Sequence, residues 1–197
     1  MPISLVQQGL CTELEFIKYV VLGSGGLAEV SRPATDDERR DADVHRRDDF
    51  NFGLGFQIKS AAEVEHPWAA DRLHIRFTVL KDRLITHPNF WYFLSFLDLR
   101  IQGIASTVFI VPSEEIHKHA IPHLHGDTWH FDFHASLAPN AHDRWVPWRV
   151  STLDIGKRVL YIIEEFENRK LSIGNLPPTP LILPPNLLWV RKGIGAA

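Results

Sequence analysis

At 197 residues with 45% hydrophobic content, the chain can bury the core of one globular domain. Its formal net charge of −3 excludes a basic protein that coats nucleic acid, so any such contact must come from a local basic patch. A single cysteine, Cys11, excludes an intramolecular disulfide and points to a reducing compartment.

The opening "MPISLVQQGLCTELEF" has no basic leader, and no uncharged apolar run approaches the roughly 20 residues of a membrane helix, so a cytoplasmic protein is expected. Residues 4–22 predict an amphipathic helix with Val6, Leu10, Leu14, Ile17, Val20 and Val21 on one face. Gly23–Gly26 stops it, and residues 27–31 read as a short strand before a charged loop. Residues 42–47 and 52–60 predict two antiparallel strands joined by the turn "DDFN". Residues 73–85 alternate like a strand at first, while their end has a helical pattern as well. The apolar runs at 89–99 and 105–113 fit central strands covered on both faces.

A short helix starts at Ser113, and residues 128–137 alternate aromatics with His and Asp. Residues 151–171 predict a second strong helix with Ile155, Val159, Ile162, Ile163 and Phe166 inward and a Ser151–Asp154 capping box. The tail is proline-rich, apolar and expected to be extended. The predicted fold is therefore α/β: a mixed central sheet with helices on both faces, a C-terminal helix and an extended tail. Residues 1–125 form the expected core, and residues 126–197 a C-terminal extension packed on it as one domain.

The strand "GLGFQIKSA" carries the chemistry. Period-two alternation puts Gln57 and Lys59 on one face with Gly53 and Gly55, which leave that face open. On the preceding strand, Asp43 stands before apolar Val44 and can share the polar face; Asp41 has the same parity and is its rival. Glu13 lies about 40° from the centre of the first helix's expected apolar face, where a carboxylate needs a metal or a Lys. Hydrolysing a phosphodiester calls for such a set, because a divalent cation must neutralise the phosphate and acidify a water. The bland alternative is an edge strand whose Lys is solvated.

With Glu13 on the first helix, Asp43 in "DADV", and Gln57 and Lys59 in "FQIKS", the chain resembles the PD-(D/E)XK superfamily, the restriction-endonuclease-like fold. The similarity spans roughly residues 4–118 and is closest to bacterial members whose second motif reads Gln-x-Lys. The resemblance implies a nuclease core with Mg2+ or Mn2+ held by Asp43 and Gln57, Glu13 assisting, and Lys59 helping the attacking water. The implied substrate is nucleic acid, with DNA expected, and the implied reaction is endonucleolytic. Arg39, Arg40, Arg46 and Arg47 flank the motif and can contact phosphates or pair with neighbouring aspartates.

Two other functions fit the sequence: a catalytically inactive member that binds nucleic acid or a protein partner, and a His-dependent metalloprotein. Seven of the eleven histidines fall between His117 and His142, and on a strand His130, Asp132 and His134 would share one face. A solvent-exposed polar face is the more economical explanation of that run. The apolar stretch Leu181–Val190 predicts a homodimer, or packing on its own domain.

Overall fold

A computed structural model of the protein describes residues 3–33, 40–49, 52–65 and 71–172. Helix α1 (Leu5–Gly23) opens on a capping box in which Ser4 Oγ accepts from the Gln7 N–H and Gln7 Oε1 accepts from the Ser4 N–H. Its buried residues are Thr12, Phe16 and Val20, each four apart. This stripe is turned roughly 100° from the one the sequence suggests. Val20 is common to both, but Val6 is 81% exposed, Leu10 47% and Leu14 54%. The large ring decides the rotation. Phe16 sits against Phe56 and Phe93, with ring centroids 5.0 and 4.9 Å away.

Strands β1 (Ala28–Ser31), β2 (Ala42–Arg46) and β3 (Gly53–Ala61) form an antiparallel run. Strand β5 (Phe90–Asp98) lies parallel to β3, and β6 (Gly103–Pro112) and β9 (Arg149–Ser151) follow antiparallel. The six-stranded order is β1-β2-β3-β5-β6-β9. All of β5 is buried, as its unbroken apolar run requires. The crossover from β3 to β5 runs through β4 (Arg72–Leu80), which leaves this sheet. It pairs with β8 (Thr128–Ser136), which in turn pairs with β7 (His123–His125), making a second, three-stranded sheet. Residues 73–85 thus resolve as a strand followed by the 3-10 turn Lys81–Arg83.

Helix α1 and helix α3 (Ile155–Ser172) cover one face of the large sheet around Phe16, Val20, Phe56, Phe93, Val159 and Ile163. The other face meets the second sheet and helix α2 (Ser113–His119) through Phe77, Tyr92, Phe109, Phe131, Phe133 and Ile116. The expected mixed sheet with helices on both faces is present, and the second sheet is an addition to it. Ile155, Val159, Ile162 and Ile163 point inward, and Phe166 stacks on Phe52 at 5.6 Å. The start of α3 differs from the expected capping box. Ser151 Oγ accepts from the Leu153 N–H and caps a 3-10 turn, while the Asp154 carboxylate turns to Lys157. The proline-rich tail lies outside the described residues. Among the described residues, no helix is long and apolar enough to cross a membrane.

Candidate active site

The β2–β3 hairpin register sets the site. Ala42 pairs with Phe56, and the Asp41 N–H donates to the Phe56 carbonyl (2.8 Å), so Asp41 lies beside Gln57. Asp41 Oδ2 accepts from Gln57 Nε2 (2.6 Å) and from the Ile58 N–H (2.6 Å). Lys59 Nζ stands 3.8 Å from the same oxygen. Gln57 and Lys59 face the second sheet, opposite Tyr92 and Leu94 in the parallel β3–β5 register. With Phe77, Thr78 and Val79 of β4 and Tyr92 of β5, the three polar residues line a pocket of about 210 Å³. A polar ligand entering it meets Asp41, Gln57 and Lys59 together.

Glu13 reaches toward these residues from α1. Partial burial raises its carboxyl above the ordinary range, opposed by Arg32, which binds it directly. The charges of Asp41 and Lys59 also act on it, Asp41 raising and Lys59 lowering. Four of the groups singled out in sequence thus have different standings. Gln57 and Lys59 meet Asp41; Glu13 is within electrostatic reach; Asp43 binds Arg40 Nη1 (2.7 Å) opposite Gly55 and does not line the pocket.

The glycines do not simply leave the face open. A Cβ on Gly55 would lie 2.6 Å from Arg40 Cδ, so this glycine makes room for the arginine that holds Asp43. Of the flanking arginines, Arg46 binds Glu164 (2.5 Å) on α3, and Arg47 lies 3.9 Å from the exposed Asp48. Arg39 lies outside the described residues.

Behind the pocket, Tyr92 OH is hydrogen-bonded to His117 Nε2 (2.9 Å), and Thr86 Oγ1 to His117 Nδ1 (2.7 Å). Burial pushes the His117 imidazole down to about 4. Between pH 6.5 and 4 the unfolded chain therefore takes up a proton that the folded chain refuses, and stability falls as pH falls through that window. Above pH 6.5 the residue contributes no pH dependence. His117→Gln keeps hydrogen-bonding capacity without titrating, so urea unfolding at pH 7, 5.5 and 4.5 should show a flatter loss for the variant. An identical slope in both proteins would contradict the buried, neutral state.

The polar face of β8 divides between two neighbourhoods. His130 stacks on His123, with ring centroids 5.0 Å apart. His134 stacks on His74 of β4 at 3.9 Å, and Asp132 accepts from His74 Nε2 at 3.0 Å. His134 is held below its ordinary range by burial first and by His74 next. The His74 side of this arrangement was not visible in the sequence, because only the β4–β8 pairing brings it there.

No protein-family model matches the chain, and no curated protein matches it. Among solved structures it is similar to a bacterial homing endonuclease, I-Ssp6803I, with a TM-score of 0.48 and 12% identity, over 85% of this chain and 98% of that one.

Proposed function

We propose that the chain is a nuclease of the PD-(D/E)XK type, hydrolysing phosphodiester bonds of DNA at the wall formed by Asp41, Gln57 and Lys59. The observation that supports this reading is the meeting of one carboxylate, one amide and one ammonium group at the rim of a single pocket. The donor chemistry suits magnesium or manganese, which favour a small number of carboxylate and carbonyl oxygens. Asp41 and Gln57 would hold the ion and Glu13 would assist, with Asp43 acting through Arg40 rather than as a ligand. When bound, the ion supplies charge neutralisation of the phosphate and a more acidic water.

The remaining work falls to side chains. Gln57 now turns Nε2 to Asp41 because a carboxylate only accepts; rotating the amide presents Oε1 outward. Lys59 remains within 3.8 Å of Asp41, placed to orient a water and to stabilise negative charge on the phosphate oxygens. The backbone N–H of Ile58 fixes the Asp41 carboxylate, so it need not reorganise.

Incubating the purified chain with megabase genomic DNA, in which any short target recurs, tests the reading. Fragmentation with magnesium or manganese and none with chelator is expected. Tight binding with no cleavage under any divalent cation would overturn catalysis and leave a binding protein.

Gln57→Glu should tighten magnesium by about tenfold, since a charged oxygen replaces a neutral one at a hard cation. Without metal, it removes the donor to Asp41 and sets two carboxylates together, costing about 1–3 kcal/mol. Calorimetry and thermal melts with and without magnesium read both effects. Unchanged or weaker affinity in a folded variant would remove residue 57 from the ligand set.

A homodimer would let two such centres cut both strands of a duplex. Sedimentation of the full chain should show a dimer that is lost when the residues after Pro180 are removed. A monomer unaffected by that truncation would count against it.

A further inference from the structure

We propose that Glu65, His74 and His134 form a second metal site, for a zinc-class divalent ion, that ties the segment after β3 to the β4–β8 strand pair. One donor atom from each residue lies within 4.8 Å of the others, the one such grouping among the described residues. None of its three residues lines the Asp41 pocket, and its donors differ in kind. Two imidazoles and a carboxylate select zinc or its transition-metal neighbours, whereas the all-oxygen Asp41 set selects magnesium.

Three observations carry the proposal. First, His74 and His134 are directly opposed in the antiparallel β4–β8 register, so the backbone holds two ligands side by side. Second, His74 Nδ1 is 2.7 Å from Glu65 Oε1 while its Nε2 is 3.0 Å from Asp132 Oδ1. A neutral imidazole has one N–H and cannot donate to both carboxylates. With an ion between Glu65 and Nδ1, the Nε2–H is left to donate to Asp132. That carboxylate–histidine–metal sequence is the usual way a ligand imidazole is oriented. Third, His134 Nδ1 is buried without a hydrogen-bond partner, a ring nitrogen whose lone pair can take an ion.

Around a tetrahedral zinc with bonds of roughly 2.0–2.2 Å the donors lie about 3.4 Å apart, so the Glu65 carboxylate must draw back from His74 Nδ1, 2.7 Å away, to admit the ion. Glu65 can make that shift. It is half-exposed, and its backbone is held by a single bridge to Arg72. A water or another ligand completes the tetrahedron. Because the three residues come from a connecting segment and two strands, the expected role is to fix the second sheet's edge rather than to do chemistry.

The test is zinc binding to the full chain, purified without a histidine tag and stripped with chelator. One zinc per chain is expected, with His74→Ala and His134→Ala each weakening it at least about 100-fold and Asp132→Asn about 10-fold. Zinc at 100 times its dissociation constant should raise the wild-type melting temperature by about 5–10 °C and leave that of His74→Ala unchanged. His123→Ala with His125→Ala, on exposed β7, and Asp41→Ala should retain the site. Should His134→Ala fail to fold, Glu65→Gln replaces it, with cobalt absorption in the visible as the readout of tetrahedral ligation. Zinc affinity unchanged in the His74 or Glu65 variants, or lost in the β7 variant, would overturn the proposal.

Discussion

Asp41→Ala is expected to reduce magnesium-dependent cleavage by about 10³-fold or more, and Asp43→Ala by less than about tenfold. The two aspartates share strand parity and differ only in register. Asp41 holds Gln57, the Ile58 N–H and, more loosely, Lys59 through one oxygen. Asp43 is engaged by Arg40. Losing Asp41 also leaves the Ile58 N–H and the Gln57 amide without their acceptor, at about 1–3 kcal/mol, so stability must be measured beside activity. Asp41→Asn separates the effects, because its amide oxygen still accepts from Ile58 but carries no charge. Its cleavage should be nearly as low as that of Asp41→Ala with most stability retained. Lys59→Ala should fall similarly and remain folded, being partly exposed. Active Asp41 variants beside a dead, folded Asp43→Ala would move the centre two residues along β2.

That choice of aspartate marks the limit of sequence reasoning here. Alternation along β2 and β3 is legible because side chains on a strand switch faces at every residue. The register of one strand against the other depends on how the turn closes, and a slip of two residues leaves every face unchanged. Parity therefore placed Asp41 and Asp43 on the Gln57 face equally. The pairing of Ala42 with Phe56 singles out Asp41 as Gln57's neighbour. Helix α1 shows the same limit. Its existence and ends were legible, but apolar residues ring it, so hydrophobic period alone could not select the Thr12–Phe16–Val20 stripe over Val6–Leu10–Leu14.

The second sheet was hidden for a related reason. The apolar alternation of β4 and of β8 was visible in each strand separately, yet 47 residues separate the end of β4 at Leu80 from the start of β8 at Thr128, with a 3-10 turn, three strands and a helix among them. Nothing in either strand names its partner. The consequence is functional, because β4 supplies Phe77, Thr78 and Val79 to the pocket and His74 to the proposed zinc site. One crossover strand thus serves both sites, and the polar face of β8 gains its meaning only from the strand beside it.

Gly156→Ala is expected to destabilise the protein by about 3–5 kcal/mol, lowering its melting temperature by roughly 10 °C. In a helix this substitution ordinarily stabilises, since alanine has the higher propensity. Here the added Cβ would lie 2.2 Å from Ser24 N, 2.4 Å from Gly23 C and 2.5 Å from Val20 O. All three are backbone atoms, so no rotamer change relieves the contact. The end of α1 and the start of α3 must separate, opening the core at Val20, Ile155 and Val159, each of which is fully buried. Gly9 provides the control on the same helix pair. A Cβ there meets nothing within 4 Å, so Gly9→Ala should stabilise by about 0.5–1 kcal/mol. Opposite signs for the two substitutions are the expected result in urea unfolding. The Gly156 effect should also reach the site, because α1 carries Glu13 and seats Thr12 on Ser60 at the end of β3 (2.7 Å). A Gly156→Ala protein as stable as wild type would mean that α1 and α3 do not meet backbone to backbone.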